Sequence, residues 1–387
     1  MQSALNLPNP PPELMELSHT LGERIVDWIE DNGPMPFDQY MRMCLYEPGL
    51  GYYTNGLHKF GASGDFVTAP EQGDLFAQAL ARQIDQVSAE WGEEWVLLEL
   101  GAGSGVLAKD LLNHLNHRPV SYEILEPSAA LRAAQAETLA GSAHQNCISW
   151  INAPPSAPFK GLILANEVID ALPVKRFRVT QNGIDELAVH LARDHDTARL
   201  SWTAVAPDQR LVAAVTSLQE TVADPLPVGF ESELCVDVPS WLGEMTRGLA
   251  HGMAWFIDYG YATNTYYHPD RDTGTLVCHY RHRAHFDPFI WPGLTDLSAF
   301  VDFGLLERAA SSAGLEQVGF TSQAEFVLAM GIHEAVWAQT HEHTRLQQLA
   351  ELKRLTLPGE MGEKFKLMAL ARGDHPVLHG FCGSMLP

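Results

Sequence analysis

Val96-Leu97-Leu98-Glu99-Leu100-Gly101-Ala102-Gly103-Ser104-Gly105 joins a short apolar run to a run of alternating glycines. The first five residues suit one buried parallel strand. Gly101, Gly103 and Gly105 then make a tight turn, and Val106–Leu112 continues with a helical pattern. Strand, glycine turn and helix open a nucleotide-binding βαβ unit. Glycines tolerate positive φ there, and without Cβ they let a ligand approach the backbone. Taken alone, the turn also fits an ordinary strand-to-helix connection. The spacing departs from the dinucleotide fingerprint G-x-G-x-x-G, because Val106 holds the place of its last glycine and Gly105 comes one position early.

Glu99 lies two positions before the first glycine. Glu-x-Gly-x-Gly-x-Gly resembles motif I of the class I S-adenosylmethionine (SAM) methyltransferases. No pyrophosphate need sit on such a turn, so the loop is free to pack against the amino-acid part of SAM.

The pattern repeats downstream. Residues 121–126 form a second strand ending in Glu126, 21 positions after Gly105. A carboxylate at that strand tip can accept both hydroxyls of an adenosine ribose. NAD and SAM satisfy this equally, so Glu126 supports a nucleoside without choosing between them. Third and fourth strands are expected at 147–151 and 160–165. The fourth ends in Asn166-Glu167-Val168-Ile169-Asp170-Ala171-Leu172-Pro173. In open α/β sheets the ligand crevice lies at the carboxyl ends of the strands. Asn166, Glu167 and Asp170 are therefore the chemical candidates, with helix capping the alternative reading of Asn166 and Glu167.

Residues 174–204 alternate around Gln181-Asn182-Gly183, a strong hairpin signal, and read as an antiparallel β-meander. Helices at 208–222 and near 239–250 precede a fifth strand at 253–258. A helix over 301–313, a strand over 315–321, helices over 323–354 and a strand over 365–371 complete a Rossmann-like, seven-stranded α/β sheet. Upstream, helical spacing covers 14–31 and 37–45. The Gly- and aromatic-rich stretch from Tyr46 to Glu71 reads either as a loop over the cofactor or as an arm packed on the core. The expected organisation is an N-terminal helical and loop arm, 1–71, and a methyltransferase domain, 72–387. Insertions fall at about 174–250 and at about 260–300, the latter an irregular substrate-side loop.

Composition narrows the partners. The 387 residues carry a net charge of −23 and are 46% hydrophobic. Such a balance argues against nucleic acid, whose phosphates need Lys and Arg, and favours a basic protein partner. Cys44, Cys147, Cys235, Cys278 and Cys382 show no paired spacing, so reduced thiols are expected and no zinc site. His279, His282 and His285 fit no metal pattern either. No apolar run approaches the roughly 18 residues of a membrane span. The N-terminus reads as neither signal nor transit peptide, and a bacterial cytoplasmic location is expected.

Six stretches together resemble the MidA-type (DUF185) SAM-dependent methyltransferases, the family of the mitochondrial complex I assembly factor 7. They are Tyr46-x-Pro48-x-x-Gly51-Tyr52-Tyr53; Phe60-Gly61-x-x-Gly64-Asp65-Phe66-x-Thr68-x-Pro70-Glu71; the glycine turn; Glu126-x-Ser128-x-x-Leu131-Arg132-x-x-Gln135; Asn166-Glu167-x-x-Asp170-Ala171-Leu172-Pro173; and Gly274-Thr275-Leu276 through to Val301-Asp302-Phe303. The resemblance implies SAM held by Glu99, Gly101, Gly103, Gly105, Glu126, Gly64, Asp65 and Asn166. It implies methylation of an arginine on a protein, a respiratory complex I subunit or another bacterial protein, and it allows a homodimer. Glu167 is the expected catalytic carboxylate, orienting the guanidinium with Asn166 and with Asp170 or Asp65. A non-catalytic SAM-binding assembly factor and an NAD-dependent oxidoreductase are the competing readings. Glu99 and Val106 disfavour the oxidoreductase.

Overall fold

The computed structural model describes residues 7–57, 68–194 and 197–381. The expected contacts of Gly64 and Asp65 lie outside the described residues, as does Cys382.

Seven strands line up across a central sheet. In chain order they are β1 (Val96–Leu100), β2 (Ser121–Leu125), β3 (Ile148–Ile151), β4 (Phe159–Asn166), β5 (Leu249–Tyr261), β6 (Glu316–Ser322) and β7 (Phe365–Arg372). Their spatial order is β3-β2-β1-β4-β5-β7-β6. β1 to β5 run parallel, and β7 lies antiparallel between β5 and β6. A two-residue strand, Val301–Asp302, pairs with the end of β5 as an eighth member beyond the seven expected. It also delays the helix expected from 301, which starts at Phe303, where the Asp302 side chain caps it by accepting the Gly304 N–H at 3.0 Å.

The central strands are apolar on both faces because both are covered. Leu97, Leu162 and Leu164 belong to a core with the helices Leu75–Ser88 and Val106–His114. Leu98, Ile163 and Ala165 belong to a second core with the helices Val238–Thr246 and Phe303–Ser312. This is why β1 and β4 read as continuous hydrophobic runs and not as alternating ones.

The segment between β4 and β5 is the expected meander, Lys175–Thr180, Gly183–Asp194 and Thr197–Val205. The arm helices Pro12–Asn32 and Phe37–Tyr46 are stitched to it where Met35–Pro36 pairs with Ala188–Val189. Lys175, buried at this junction, lies 2.7 Å from Glu186, 3.1 Å from Asp208 and 3.4 Å from Asp38. One ammonium thus ties the arm, the meander and the cap of the helix Gln209–Thr221, whose first turn Asp208 also holds through the Leu211 N–H.

Residues 262–300 differ from the irregular loop expected. They contain a three-stranded antiparallel sheet, Val277–Tyr280, Arg283–His285 and Asp296–Ser298. Strands of three or four residues leave too short a period-2 pattern to read. His282 is exposed at its turn, whereas His285 is buried, so the histidines of this stretch face different surroundings.

Candidate active site

Register brings the candidate residues to one edge. Leu100 pairs with Leu125 of β2 on one side and with Ala165 of β4 on the other. Gly101, Glu126 and Asn166 are each the next residue, so they emerge together at the carboxyl ends of three adjacent strands. The chain enters β2 to one side of β1 and β4 to the other, so this is the switch point where such sheets bind ligands.

The glycines are required by backbone shape. Gly101, Gly103 and Gly105 have φ of 62°, 54° and 83°. A Cβ on Gly105 would lie 3.2 Å from the Gln135 Cα, and one on Gly101 3.3 Å from a Val168 methyl. Gln135 braces the turn from behind. Its amide nitrogen donates to the Gly103 carbonyl at 3.0 Å and to Glu126 Oε2 at 3.1 Å, and its oxygen accepts from the Trp150 indole at 2.9 Å. Glu126 Oε1 accepts the Ser128 N–H at 2.9 Å. Burial raises the Glu126 pKa, and these two donors oppose the rise. Gln135 stood in the family motif without a role, because its partners lie on other elements.

Glu99 is 2% exposed and accepts the Tyr122 hydroxyl at 2.9 Å. Burial pushes its carboxyl up to about 7, against the pull of that hydrogen bond.

The described parts of the aromatic stretch are a packed arm whose ends flank the turn. Tyr52 is fully buried, and a Cβ on Gly51 would lie 2.5 Å from the Glu47 nitrogen. The Tyr53 carbonyl accepts from the Ser128 hydroxyl at 2.9 Å. At the other end, the Glu71 carboxylate accepts from the Ser104 hydroxyl, inside the glycine turn itself.

The fourth-strand tip departs from the usual doubly wound unit. No helix follows β4, and the chain turns through 167–173 directly into the meander. Asn166 and Glu167 are therefore not a helix cap. Glu167 takes φ of 53°, a left-handed conformation costing roughly 1–2 kcal/mol for a residue with a side chain. Its N–H donates to the Ile257 carbonyl at 2.8 Å, and its Oε1 accepts from the Asn166 amide at 3.3 Å. Asp258, near the end of β5, accepts the N–H groups of Ile169 and Asp170 at 3.0 and 3.2 Å with one oxygen, and that of Tyr259 at 3.0 Å with the other. The Tyr259 hydroxyl donates to Asp170 Oδ2. From outside, the Tyr46 hydroxyl donates to the Ala171 carbonyl at 2.8 Å and the Ala299 N–H to the Asp170 carbonyl at 3.1 Å.

Asp170 and Asp258 are buried and Glu167 is half-buried beside them, and none of the three has an ion-pair partner among the described residues. Burial, then the charges of Asp170 and Asp296, push Glu167 up to about 8, against the Asn166 hydrogen bond. Asp170 and Asp258 are also raised, chiefly by burial. Asn166 Oδ1 and Asp170 Oδ1 are buried acceptors without a hydrogen-bond donor. Asp258 and Tyr259 are functional candidates that the sequence reading passed over. The signal was an acid at the end of a parallel strand, the same signal that singled out Glu126.

Part of the last motif serves packing. Fully buried Glu233 accepts the N–H and hydroxyl of Thr275 and, at 3.0 Å, the Tyr266 hydroxyl. A Cβ on Gly274 would fall 2.2 Å from a Glu233 oxygen. Gly274-Thr275 thus anchors the start of the small sheet.

A doubly wound sheet with this strand order, a glycine turn after β1 and an acid after β2 defines a class I SAM-dependent methyltransferase. Residues 75–321 match a family described as S-adenosyl-L-methionine-dependent methyltransferases, and the chain belongs to it. Protein arginine methyltransferase NDUFAF7 of Homo sapiens, a mitochondrial protein, is 30% identical over 390 residues, covering 91% of this chain and 83% of the relative. The Caenorhabditis elegans homolog is 28% identical over 396 residues, covering 92% and 87%. A Burkholderia thailandensis protein crystallised with S-adenosyl-homocysteine superposes with a TM-score of 0.90 at 35% identity, covering 97% of this chain and 98% of that one. No helix among the described residues is long and apolar enough to cross a membrane.

Proposed function

We propose that this methyltransferase modifies an arginine side chain of a protein. The observation that carries the reading is the fourth-strand tip, where buried Asp170 and Asp258 and half-buried Glu167 lie together, raised in pKa and without an ion-pair partner among the described residues. Such a cluster wants a cation. A guanidinium stays charged at every ordinary pH, with a pKa above about 12, and its planar fork matches carboxylates. The relatives named protein arginine methyltransferases support the same substrate class. The complex I subunit implied by the family resemblance is the first protein to test.

The cradle fits SAM. In this reading the backbone of Gly101, Gly103 and Gly105 receives its amino-acid end, Glu126 its ribose hydroxyls, and Glu99 supports the turn from β1. Asn166, with a buried oxygen lacking a donor, faces the reactive end. SAM supplies an electrophilic methyl group on a sulfonium. The chain's task is alignment, which by itself accounts for a large share of rate enhancement. Glu167 orients one guanidinium nitrogen along the transfer axis, Asp170 holds the other side, and Glu167 Oε2 takes the proton that the methylated nitrogen releases. Burial holds the Glu167 carboxyl up at about 8, and a bound guanidinium favours its ionised form, the form that can accept that proton.

The test is incubation of the purified protein with methyl-labelled SAM and a proteome extract, followed by hydrolysis and amino-acid analysis. Label in methylarginine is expected. Label confined to lysine, or none in protein, overturns the reading.

A further inference from the structure

The side-chain hydrogen bonds of Asp258 and Tyr259 go to the turn after β4 and to each other, and they organise the fourth-strand tip. We propose that they are positioning residues for the methyl-acceptor site. Asp258 holds the turn after β4 in its bent shape, and Tyr259 fixes the rotation of the Asp170 carboxylate within it. What the turn receives rests on the arginine reading above; the device itself does not.

The need for Asp258 follows from the missing helix. When a strand feeds a helix, the first N–H groups are met by a cap or by water. Here the chain leaves β4 for the meander, and the N–H groups of Ile169 and Asp170 point into the protein. Asp258 is 1% exposed, so water is not the alternative acceptor. One of its oxygens takes both N–H groups, at 3.0 and 3.2 Å, and the other takes that of Tyr259 at 3.0 Å. The strained backbone of Glu167 is thereby pinned on both sides, by Ile257 before it and by Asp258 just after it. Strain of this kind persists only where its surroundings over-determine it.

Tyr259 has a different task. Its ring is clamped edge-on by Phe300 and Phe365, with centroids 5.0 and 5.5 Å away. The hydroxyl is therefore aimed by packing, and it occupies Asp170 Oδ2. Asp170 Oδ1 keeps no partner and is the oxygen left for a ligand. The other groups whose charge or hydroxyl bears on this cluster are Glu167 in the turn after β4, Asp258 on β5, Tyr46 and Tyr53 on the arm, and Asp296 on the small sheet. Tyr259 supplies a donor directly to Asp170, and none of these others does.

The experiment compares the wild type with Tyr259→Phe and Asp258→Asn. Carbon-13 NMR of aspartate-labelled protein follows the Asp170 carboxyl, assigned with Asp170→Asn. Tyr259→Phe keeps the clamped ring but removes the donor that favours the ionised form, so the Asp170 midpoint should rise by about one pH unit. An unchanged midpoint overturns the role of Tyr259. For Asp258→Asn, the initial rate of label transfer to extract protein at saturating SAM should fall by about ten-fold or more. S-adenosyl-homocysteine affinity by calorimetry should stay within about two-fold of wild type, since the glycine turn is untouched. An undiminished rate, or parallel loss of rate and affinity, overturns the role of Asp258. Should Asp258→Asn not fold, Asp258→Glu, which keeps the acceptor but displaces it, is read by the same rate and affinity measurements with the same outcomes. A wild type that labels no arginine removes the substrate reading and leaves the NMR result to judge the device.

Discussion

The glycine turn and the fourth-strand tip are neighbours on one sheet edge, and they treat their polar groups in opposite ways. At the glycine turn, Gln135 binds the Gly103 carbonyl, Glu126 and Trp150, Glu126 has donors on both oxygens, and Glu99 holds Tyr122. At the tip, Asn166 Oδ1 and Asp170 Oδ1 lack donors, Glu167 is backbone-strained, and carboxylates crowd one another. The first region is finished before its ligand arrives, as preorganised binding requires. On the arginine reading the second is completed by its substrate: an entering guanidinium favours the ionised form of carboxyls that burial and mutual repulsion otherwise keep protonated.

Breaking the tip should have the largest effect. Glu167→Gln keeps the shape but removes the charge, and methyl transfer should fall about 100-fold, or about 2.7 kcal/mol, with S-adenosyl-homocysteine affinity within about two-fold. Undiminished incorporation of label would show that the tip is not the acceptor site. Breaking the turn should cost slightly less. Gly105→Val puts a branched side chain at φ 83°, against the Gln135 backbone, and should weaken S-adenosyl-homocysteine binding about 50-fold by calorimetry, about 2.3 kcal/mol. Retained affinity would mean that the turn carries no ligand.

Titration sharpens the contrast. Glu99 and Glu167, held at about 7 and about 8 when folded, return to ordinary carboxyl values near 4.5 when unfolded. Between those values the folded state binds more protons than the unfolded state, so stability without ligand falls as pH rises from about 5 to 8. Urea unfolding should register a slope of about 1.4 kcal/mol per pH unit for each of the two groups between its unfolded and folded values, and Glu99→Gln and Glu167→Gln should each flatten it. Stability that rises over the same window would contradict the burial of these groups. The smallest effect is expected for Gln135→Ala. It leaves the glycines in place but removes their brace, and S-adenosyl-homocysteine affinity should drop about ten-fold, or 1.4 kcal/mol. Transfer rate at saturating SAM should then be nearly normal, which separates a looser turn from a damaged tip.

The extent to which each region could be read in advance follows the same division. Val96–Leu100 was read to the residue, because a strand buried on both faces announces itself as an apolar run. The glycines announce left-handed backbone, and Asn182-Gly183 announces a hairpin, because only a few residues accept those angles. The small sheet at 277–298 escaped notice because its strands are too short to show a period. Gln135, Asp258 and Tyr259 escaped because the partners that give them their roles lie on other elements. Asp258 holds N–H groups 88 and 89 residues away.

Local order in the large sheet, then, was determined by sequence alone: its seven long strands, where glycine must stand, the acids that end β2 and β4, and the family these stretches resemble. Those features depend on steric limits and hydrophobic period, which act over a few residues. Only the tertiary structure decided that β4 feeds no helix, that Asp258 replaces the missing partner, and that Asp170, Asp258 and Asp296 meet around Glu167. Burial and charge coupling depend on which surfaces are removed from water together, and no stretch of chain contains that information by itself.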